Sequence, residues 1–360
     1  MQEVHVSNAA SRRIRCIGRL YGQRRPAPDP YHVEFMSLRY YAAACQTAFD
    51  SPTSRSEISE RTDRMLAIAE QTIVGYEPFF DVRLLTFPEF AHAVPIHTDV
   101  KRLREELAIE VPNDHIDRYA ALCKQYGCWI QTGTFLERTE EHPEAVFNTT
   151  VLVGPGGVES IYRKVNPWIP WEVHTSPHDL DPEGDHFPVA DTEIGRIGAA
   201  ICYDWLFPEV LREMASKGAE VLCRLSAYMD PWGATPPMDW WTLFNRARAV
   251  ENMCYVVASN QAAHQHQYPP FSWPGGSMVV DFDGRILAQA DPGPGEKVVV
   301  APIDIGALRH ERDRRLGHDM RSHHRPSAYH YGQHPGLLPA QSPLTVEGLQ
   351  ERIKQSREQQ

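Results

Sequence analysis

Gly198-Ala199-Ala200-Ile201-Cys202-Tyr203-Asp204 is a short apolar run that ends in polar side chains, and Pro208-Glu209 follows as the opening of an amphipathic helix. The run reads as a buried strand that must turn sharply at Cys202, the place from which a nucleophile is presented. A helix N-terminus nearby favours negative charge, so a thiolate at Cys202 is expected to be stabilised. A free cysteine on a core strand is also, by default, a small buried hydrophobe. The rest of the chain has to decide between these readings.

Outward from this run the second half alternates strand and helix. A helix over 208–217 is followed by a strand at 220–225, a helix near 239–252 and a strand at 255–259. The first half has the same order more loosely. Residues 40–45 form a candidate strand, 56–74 carry Met65, Leu66, Ile68, Ala69 and Ile73 on a helical period, and a strand over 81–86 delivers Pro88-Glu89. Asn113 or Asp114 caps a helix that runs through Lys124 and stops at Gly127, ahead of strands expected at 128–135 and 147–153. Gly154-Pro155-Gly156-Gly157 is a turn, without the lysine and strand-to-helix context of a phosphate loop. Residues 275–281 and 285–289 predict a hairpin around Asp283-Gly284, and 297–303 adds a strand. Two pseudo-repeated halves of this kind predict an α/β protein of packed layers.

The ends differ from the middle. Residues 1–37, with Arg12, Arg13, Arg15, Arg19, Arg24 and Arg25 ahead of Pro26, Pro28 and Pro30, read as an N-terminal arm. Residues 307–360 are charged, histidine-rich and punctuated by proline, and read as a C-terminal extension that contacts other subunits. The 42% hydrophobic content is enough for a sizeable core in the stretch between. A net charge of −11, with scattered basic residues beyond the arm, recommends neither nucleic acid nor an anionic membrane as partner. Seven cysteines without C-x-x-C spacing predict neither a disulfide framework nor a zinc site, which fits a reducing compartment. With no apolar stretch near 18 residues, a cytoplasmic protein is expected.

Beside Cys202, three polar positions follow strands: Glu89 after Thr86-Phe87-Pro88, Lys164 after Ser160-Ile161-Tyr162-Arg163, and Glu172 further along the next loop. Each has an ordinary alternative as a cap, a salt-bridge partner or a solvated edge charge. Together they meet one chemical requirement. Acyl transfer from an amide needs a nucleophile, a base that activates it and later protonates the leaving amine, and positive charge or N–H donors for the oxyanion. A carboxylate among Phe87, Pro88 and Phe90 is poorly solvated, which raises its pKa toward that of a proton shuttle.

Phe87-Pro88-Glu89, Tyr162-Arg163-Lys164-Val165-Asn166-Pro167-Trp168, Trp171-Glu172 and Ile201-Cys202-Tyr203-Asp204 with Pro208-Glu209 resemble the Glu-Lys-Cys carbon-nitrogen hydrolases of the nitrilase superfamily. The spacing from Lys164 to Glu172, with Lys217-Gly218-Ala219-Glu220, is most similar to the aliphatic amidase and formamidase branch. The resemblance spans roughly Tyr40 to Ile305 and marks 38–306 as the hydrolase domain. It implies a four-layer αββα sandwich, assembled into homo-oligomers built from dimers. It also implies Glu89 as general base, Cys202 as nucleophile, Lys164 and the Tyr203 N–H as oxyanion partners, and Glu172 as a second carboxylate. No metal or organic cofactor is required, and the partner is a small amide. Nitrilases typically carry Trp-Glu after the cysteine, so Tyr203-Asp204 favours amides over nitriles.

Trp168, Trp171, Tyr228 and Trp232 are candidates for lining the substrate pocket, whereas Trp205 and Phe207 read as packing. The first alternative is an N-carbamoyl amide hydrolase, which needs a basic residue for the substrate carboxylate, with Arg224, Arg246 or Arg248 available. The second is a nonhydrolytic amidase-like binding protein, against which the complete Glu-Lys-Cys-Glu set argues. A histidine metal site from His264, His266, His318, His323 and His324 lacks ligand spacing and is set aside.

Overall fold

The computed structural model describes residues 38–48, 52–97, 99–168, 172, 175–228, 236–263, 273–330 and 346–358, so the arm expected at 1–37 lies outside the described residues. The first half comprises β1 (Arg39–Gln46), α1 (Ile58–Tyr76), β2 (Val82–Thr86), α2 (Val100–Glu106), α3 (Asp114–Tyr126), β3 (Trp129–Gln131), β4 (Phe135–Glu137), β5 (Phe147–Gly154) and β6 (Gly157–Arg163). The second comprises α4 (Pro177–Leu180), β7 (Val189–Thr192), β8 (Gly195–Ile201), α5 (Pro208–Ser216), β9 (Val221–Ser226), α6 (Trp240–Asn252), β10 (Tyr255–Asn260), β11 (Met278–Val280), β12 (Ile286–Gln289), β13 (Lys297–Asp304), α7 (Ile305–Arg314) and α8 (Val346–Glu358).

One sheet runs β13-β1-β2-β3-β5-β4 with β6 on β5, and the other runs β12-β11-β10-β9-β8-β7. Each is organised around three parallel strands, β1-β2-β3 in one and β8-β9-β10 in the other. Strand alternation sends Ala42, Ala44, Leu84 and Leu152 of the first sheet to the same buried layer as Ile197, Val221, Cys223 and Val257 of the second. The opposite face of the first sheet packs on α1 and α3 through residues such as Met65, Ile68 and Tyr119. The opposite face of the second packs on α5 and α6 through Val210, Leu211, Met214 and Trp241. The result is the mixed α/β sandwich of four layers, αββα.

Local chemistry explains the elements. In α1 the buried Met65, Ile68, Ala69, Thr72 and Ile73 fall on one face. Asn113 caps α3 by accepting the N–H groups of His115 and Ile116, and Gly127 ends it at φ 61°. The single strand expected at 128–135 is instead β3 and β4, separated by Thr132-Gly133-Thr134. There the backbone leaves the sheet to press on the loop after β2: a Cβ at Gly133 would lie 2.5 Å from Ala91 Cβ and 2.8 Å from the Pro88 carbonyl oxygen. The predicted hairpin is β11–β12, with a wider turn than two residues. Asp281 Oδ1 accepts the N–H groups of Asp283 and Arg285, which moves the strand ends back to Val280 and Ile286. Strand β7 and helices α2 and α4 are too short to carry a periodic signal and were not expected. Helix α7 packs onto the second sheet, with Leu308 buried and Arg309 paired with Glu220. No helix among the described residues is long and apolar enough to cross a membrane.

Candidate active site

Glu89 and Cys202 both follow the carboxyl end of a parallel strand, β2 in one sheet and β8 in the other, and Lys164 directly follows β6. The loops after the two sheets bring these residues together. Glu89 is 1% exposed. Its Oε1 accepts from Lys164 Nζ at 2.7 Å and from Asn148 Nδ2 at 2.9 Å, and its Oε2 accepts the Ala227 N–H at 2.9 Å. Burial pushes this carboxyl above the usual range, against the pull of Lys164 and with the push of Glu172.

Lys164 is buried and donates to three carboxylate oxygens: Glu89 Oε1, Glu172 Oε1 at 2.8 Å and Glu172 Oε2 at 2.7 Å. Burial alone would lower its pKa, but Glu172 and Glu89 outweigh burial and hold the ammonium well above the usual lysine range. The strand end that carries it is fixed on both sides. Arg163 clamps Glu137 at 2.8 and 2.6 Å, and the Lys164 N–H donates to the Asn148 carbonyl at 2.8 Å. Glu172 is aimed by its bonds to Trp168: its Oε2 accepts the Trp168 N–H at 2.5 Å and its own N–H donates to the Trp168 carbonyl at 2.9 Å.

Cys202 adopts φ 46°, a left-handed conformation unusual for a residue with a Cβ. It opens a 3₁₀ turn, Cys202–Leu206, from which α5 is separated by Phe207. Asp204 holds this elbow. Its Oδ2 accepts the Ile201 N–H at 3.1 Å and the Tyr162 hydroxyl at 2.7 Å, while Oδ1 accepts the Asn166 N–H and Nδ2, each at 2.9 Å. One buried carboxylate thus ties the end of β8 to the end of β6, and these bonds offset a backbone strain of about 1–3 kcal/mol. The backbone N–H of Tyr203 lies in the first turn of the 3₁₀ segment, where N–H groups lack partners within the turn. The expectation of a stabilised resting thiolate is corrected. Burial, with Glu89 and Glu172, pushes the Cys202 thiol up, against Lys164 and Arg224, and the N-terminus of α5 lies beyond the 3₁₀ turn.

Residues 41–312 match the carbon-nitrogen hydrolase family. The chain belongs to that family. This hydrolase is 32% identical over 269 residues to a formamidase of Bacillus cereus strain Q1, which spans 73% of this chain and 74% of the relative. A formamidase of Bacillus thuringiensis strain Al Hakam is 33% identical over 255 residues, 69% of each chain. Among solved structures, Saccharomyces cerevisiae Nit3, a member of branch 10 of the nitrilase superfamily, aligns with a TM-score of 0.62 at 26% identity. It covers 78% of this chain and 95% of Nit3. An amidase from Nesterenkonia AN1 shares the fold, with a TM-score of 0.58 at 19% identity over 80% of this chain and 95% of its own.

The hydrolase brings together Glu89, Lys164, Glu172 and Cys202. Trp168 is half-buried and joins the group through its backbone bonds to Glu172. Tyr228 is buried, and its N–H is fixed by Asn260 Oδ1 at 2.8 Å. Trp171, Trp232, His264 and His266 lie outside the described residues. Trp205 is core, with Nε1 donating to the Ala200 carbonyl at 3.0 Å. Of the three arginines considered for a substrate carboxylate, two are committed elsewhere: Arg246 to the Gly284 carbonyl, Arg248 to Glu251 and the Trp205 and Leu206 carbonyls. Sequence reasoning missed Asn148, which holds Glu89 by its side chain and Lys164 by its backbone. It also assigned no task to Asp204, although its place two residues after the cysteine was a usable signal.

Proposed function

We propose that this carbon-nitrogen hydrolase splits small carboxamides into carboxylate and ammonia through a thioester on Cys202. The observation that carries the reading is a buried lysine ammonium bonded at once to Glu89 and Glu172, beside a cysteine on a left-handed backbone. The raised pKa of Glu89 suits a base that must accept and return a proton near neutrality. Because the resting sulfur is a thiol, proton removal by Glu89 belongs to the attack itself.

In this reading Glu89 takes the Sγ proton as sulfur bonds to the amide carbon, and the carbonyl π electrons move to oxygen. Lys164 and the Tyr203 N–H receive that oxyanion. Collapse breaks the carbon–nitrogen bond, Glu89 hands its proton to the departing nitrogen, and ammonia leaves. Glu89 then removes a proton from water as hydroxide adds to the thioester, and the carbon–sulfur bond breaks with Glu89 returning that proton to the sulfur, which releases the acid and restores the thiol. Glu172 keeps Lys164 charged and in place. The formamidase relatives support a short acyl group, and Trp168 and Tyr228 are the described aromatic residues that would bound it.

The test is ammonia release by the wild type and by Cys202→Ala from formamide, short aliphatic amides, aromatic amides, nitriles and N-carbamoyl amino acids. Turnover of small amides that disappears in a folded Cys202→Ala protein is the expected result. Turnover of ureido acids alone would move the assignment to an N-carbamoyl hydrolase, and no turnover of any substrate would leave a binding protein.

A further inference from the structure

Arg224 lies on β9, in register with Ala200 of β8, the strand that Cys202 follows, and with Ala258 on the other side, and it is buried. Its Nε donates to Ser226 Oγ at 3.1 Å and its Nη1 to Asn245 Oδ1 at 2.9 Å, while Nη2 has no acceptor among the described residues. Both acceptors are neutral, and no carboxylate lies within ion-pair distance among the described residues. Instead the guanidinium carbon sits 4.3 Å from the ring centre of Trp241, 5.3 Å from Tyr228 and 5.4 Å from Trp205. A buried cation is normally matched by an anion, because neutral hydrogen bonds and ring faces do not replace its lost hydration. Among the described residues the charge is held without an anionic partner.

Among the described residues, the charged and titratable groups that act on Arg224 include Cys202, Tyr228, Arg248 and Glu89. Tyr228 is no anion near neutrality, since burial pushes its hydroxyl up to about 12. Cys202 in turn faces Glu89, Lys164, Glu172 and Arg224. Moving the thiol proton to Glu89 leaves the net charge unchanged and carries one negative charge from the carboxylate to the sulfur. Lys164, 2.7 Å from Glu89, favours the charge where it started. The Arg224 guanidinium, on the strand paired with β8 and ringed by Trp205, Tyr228 and Trp241 of the same buried cluster as Cys202, favours the opposite placement.

We propose that Arg224 is a second counter-charge of the Cys202 thiolate beside Lys164, a positioning residue that acts on the sulfur through its field. The proposal rests on the thiol reading above. It also gives the sulfur a reason to leave: when water has added to the thioester, the departing electron pair returns to a sulfur that faces an unmatched cation.

Alkylation of Cys202 by iodoacetamide, a neutral reagent, followed by peptide mass spectrometry, tests this without any substrate. At pH 8, Arg224→Gln is expected to slow alkylation at least about tenfold, as a one-unit rise in thiol pKa lowers the thiolate fraction tenfold. Arg224→Lys should recover most of the rate, which a purely packing role would not produce. Should Arg224→Gln fail to fold, Asn245→Asp replaces the neutral acceptor by a carboxylate, occupies the cation, and should slow alkylation in the same way. Wild-type alkylation rates in folded Arg224→Gln or Asn245→Asp protein would overturn the proposal. Loss of the amidase reading would show separately, as a protein that alkylates normally at Cys202 but releases no ammonia.

Discussion

Lys164→Met leaves Glu89 and Glu172 buried near one another with no cation between them. Breaking a buried ion pair from one side costs about 3–5 kcal/mol, and denaturant unfolding of this variant should show a loss of that size along with loss of turnover. A stability within about 1 kcal/mol of wild type would mean that water reaches the carboxylates. Glu89 has a second measurable consequence. As a base it works only when ionised, and burial raises its pKa, so kcat/KM should fall as pH drops through a midpoint above the roughly 4.3 of an ordinary glutamate. An acid limb at or below that value would remove Glu89 from the role. At this scale Glu89, Lys164, Glu172 and Cys202 were legible because each stands in a local pattern of strand, proline and aromatic residues. Asn148 and Ala227, 59 and 138 residues from Glu89, were not, since their contribution is a meeting of loops that no local pattern encodes.

The elements were read correctly where caps and periodicity agree, as in α1 and in α3 between Asn113 and Gly127. They were misread where the chain departs from regular pairing for the sake of the site. The interruption between β3 and β4 lets the Gly133 backbone approach the Pro88 carbonyl, while Thr134 Oγ1 accepts the Phe90 N–H at 2.8 Å and holds that residue at φ 60°. An alternating apolar run gives no sign of such a contact. Gly133→Ala should force the loop carrying Glu89 outward, with a loss of about 1–3 kcal/mol from overpacking and a fall in kcat larger than any change in KM. Thermal unfolding and steady-state kinetics together check this. A fully active, equally stable Gly133→Ala protein would show that the loop yields freely.

The two similar halves of the whole molecule were visible as an alternation of strands and helices, and the four-layer sandwich was expected from the resemblance, but the side-chain bonds that fasten the end of the chain to it were not. Helix α7 illustrates the difference. Arg309 Nε and Nη2 donate to the buried Glu220 at 2.6 and 2.9 Å, and Arg312 Nη2 donates to the Ala219 and Met253 carbonyls, each at 2.7 Å. Burial alone would raise the Glu220 pKa, but the bonds from Arg309 and the Arg196 N–H hold it below the usual range. A depressed folded-state pKa contributes stability above the unfolded value of about 4.3 and loses it as pH falls through the folded one. Arg309→Ala, whose side chain is half exposed, should therefore cost about 1 kcal/mol at pH 7 after allowance for solvent screening. The gap from wild type should close in unfolding curves recorded below about pH 4; a gap that persists in acid would assign the effect to packing.

Thr86 and Ser259 exchange hydrogen bonds between the sheets, Gln261 holds the Glu89 carbonyl from the far side, and the Ala227 N–H after β9 completes the Glu89 carboxylate. The proposed nucleophile and base thus arrive from opposite leaves of the sandwich. A nascent or partly unfolded chain carries a cysteine without its base, a sluggish thiol like any other, and it gains hydrolytic power only when the leaves close.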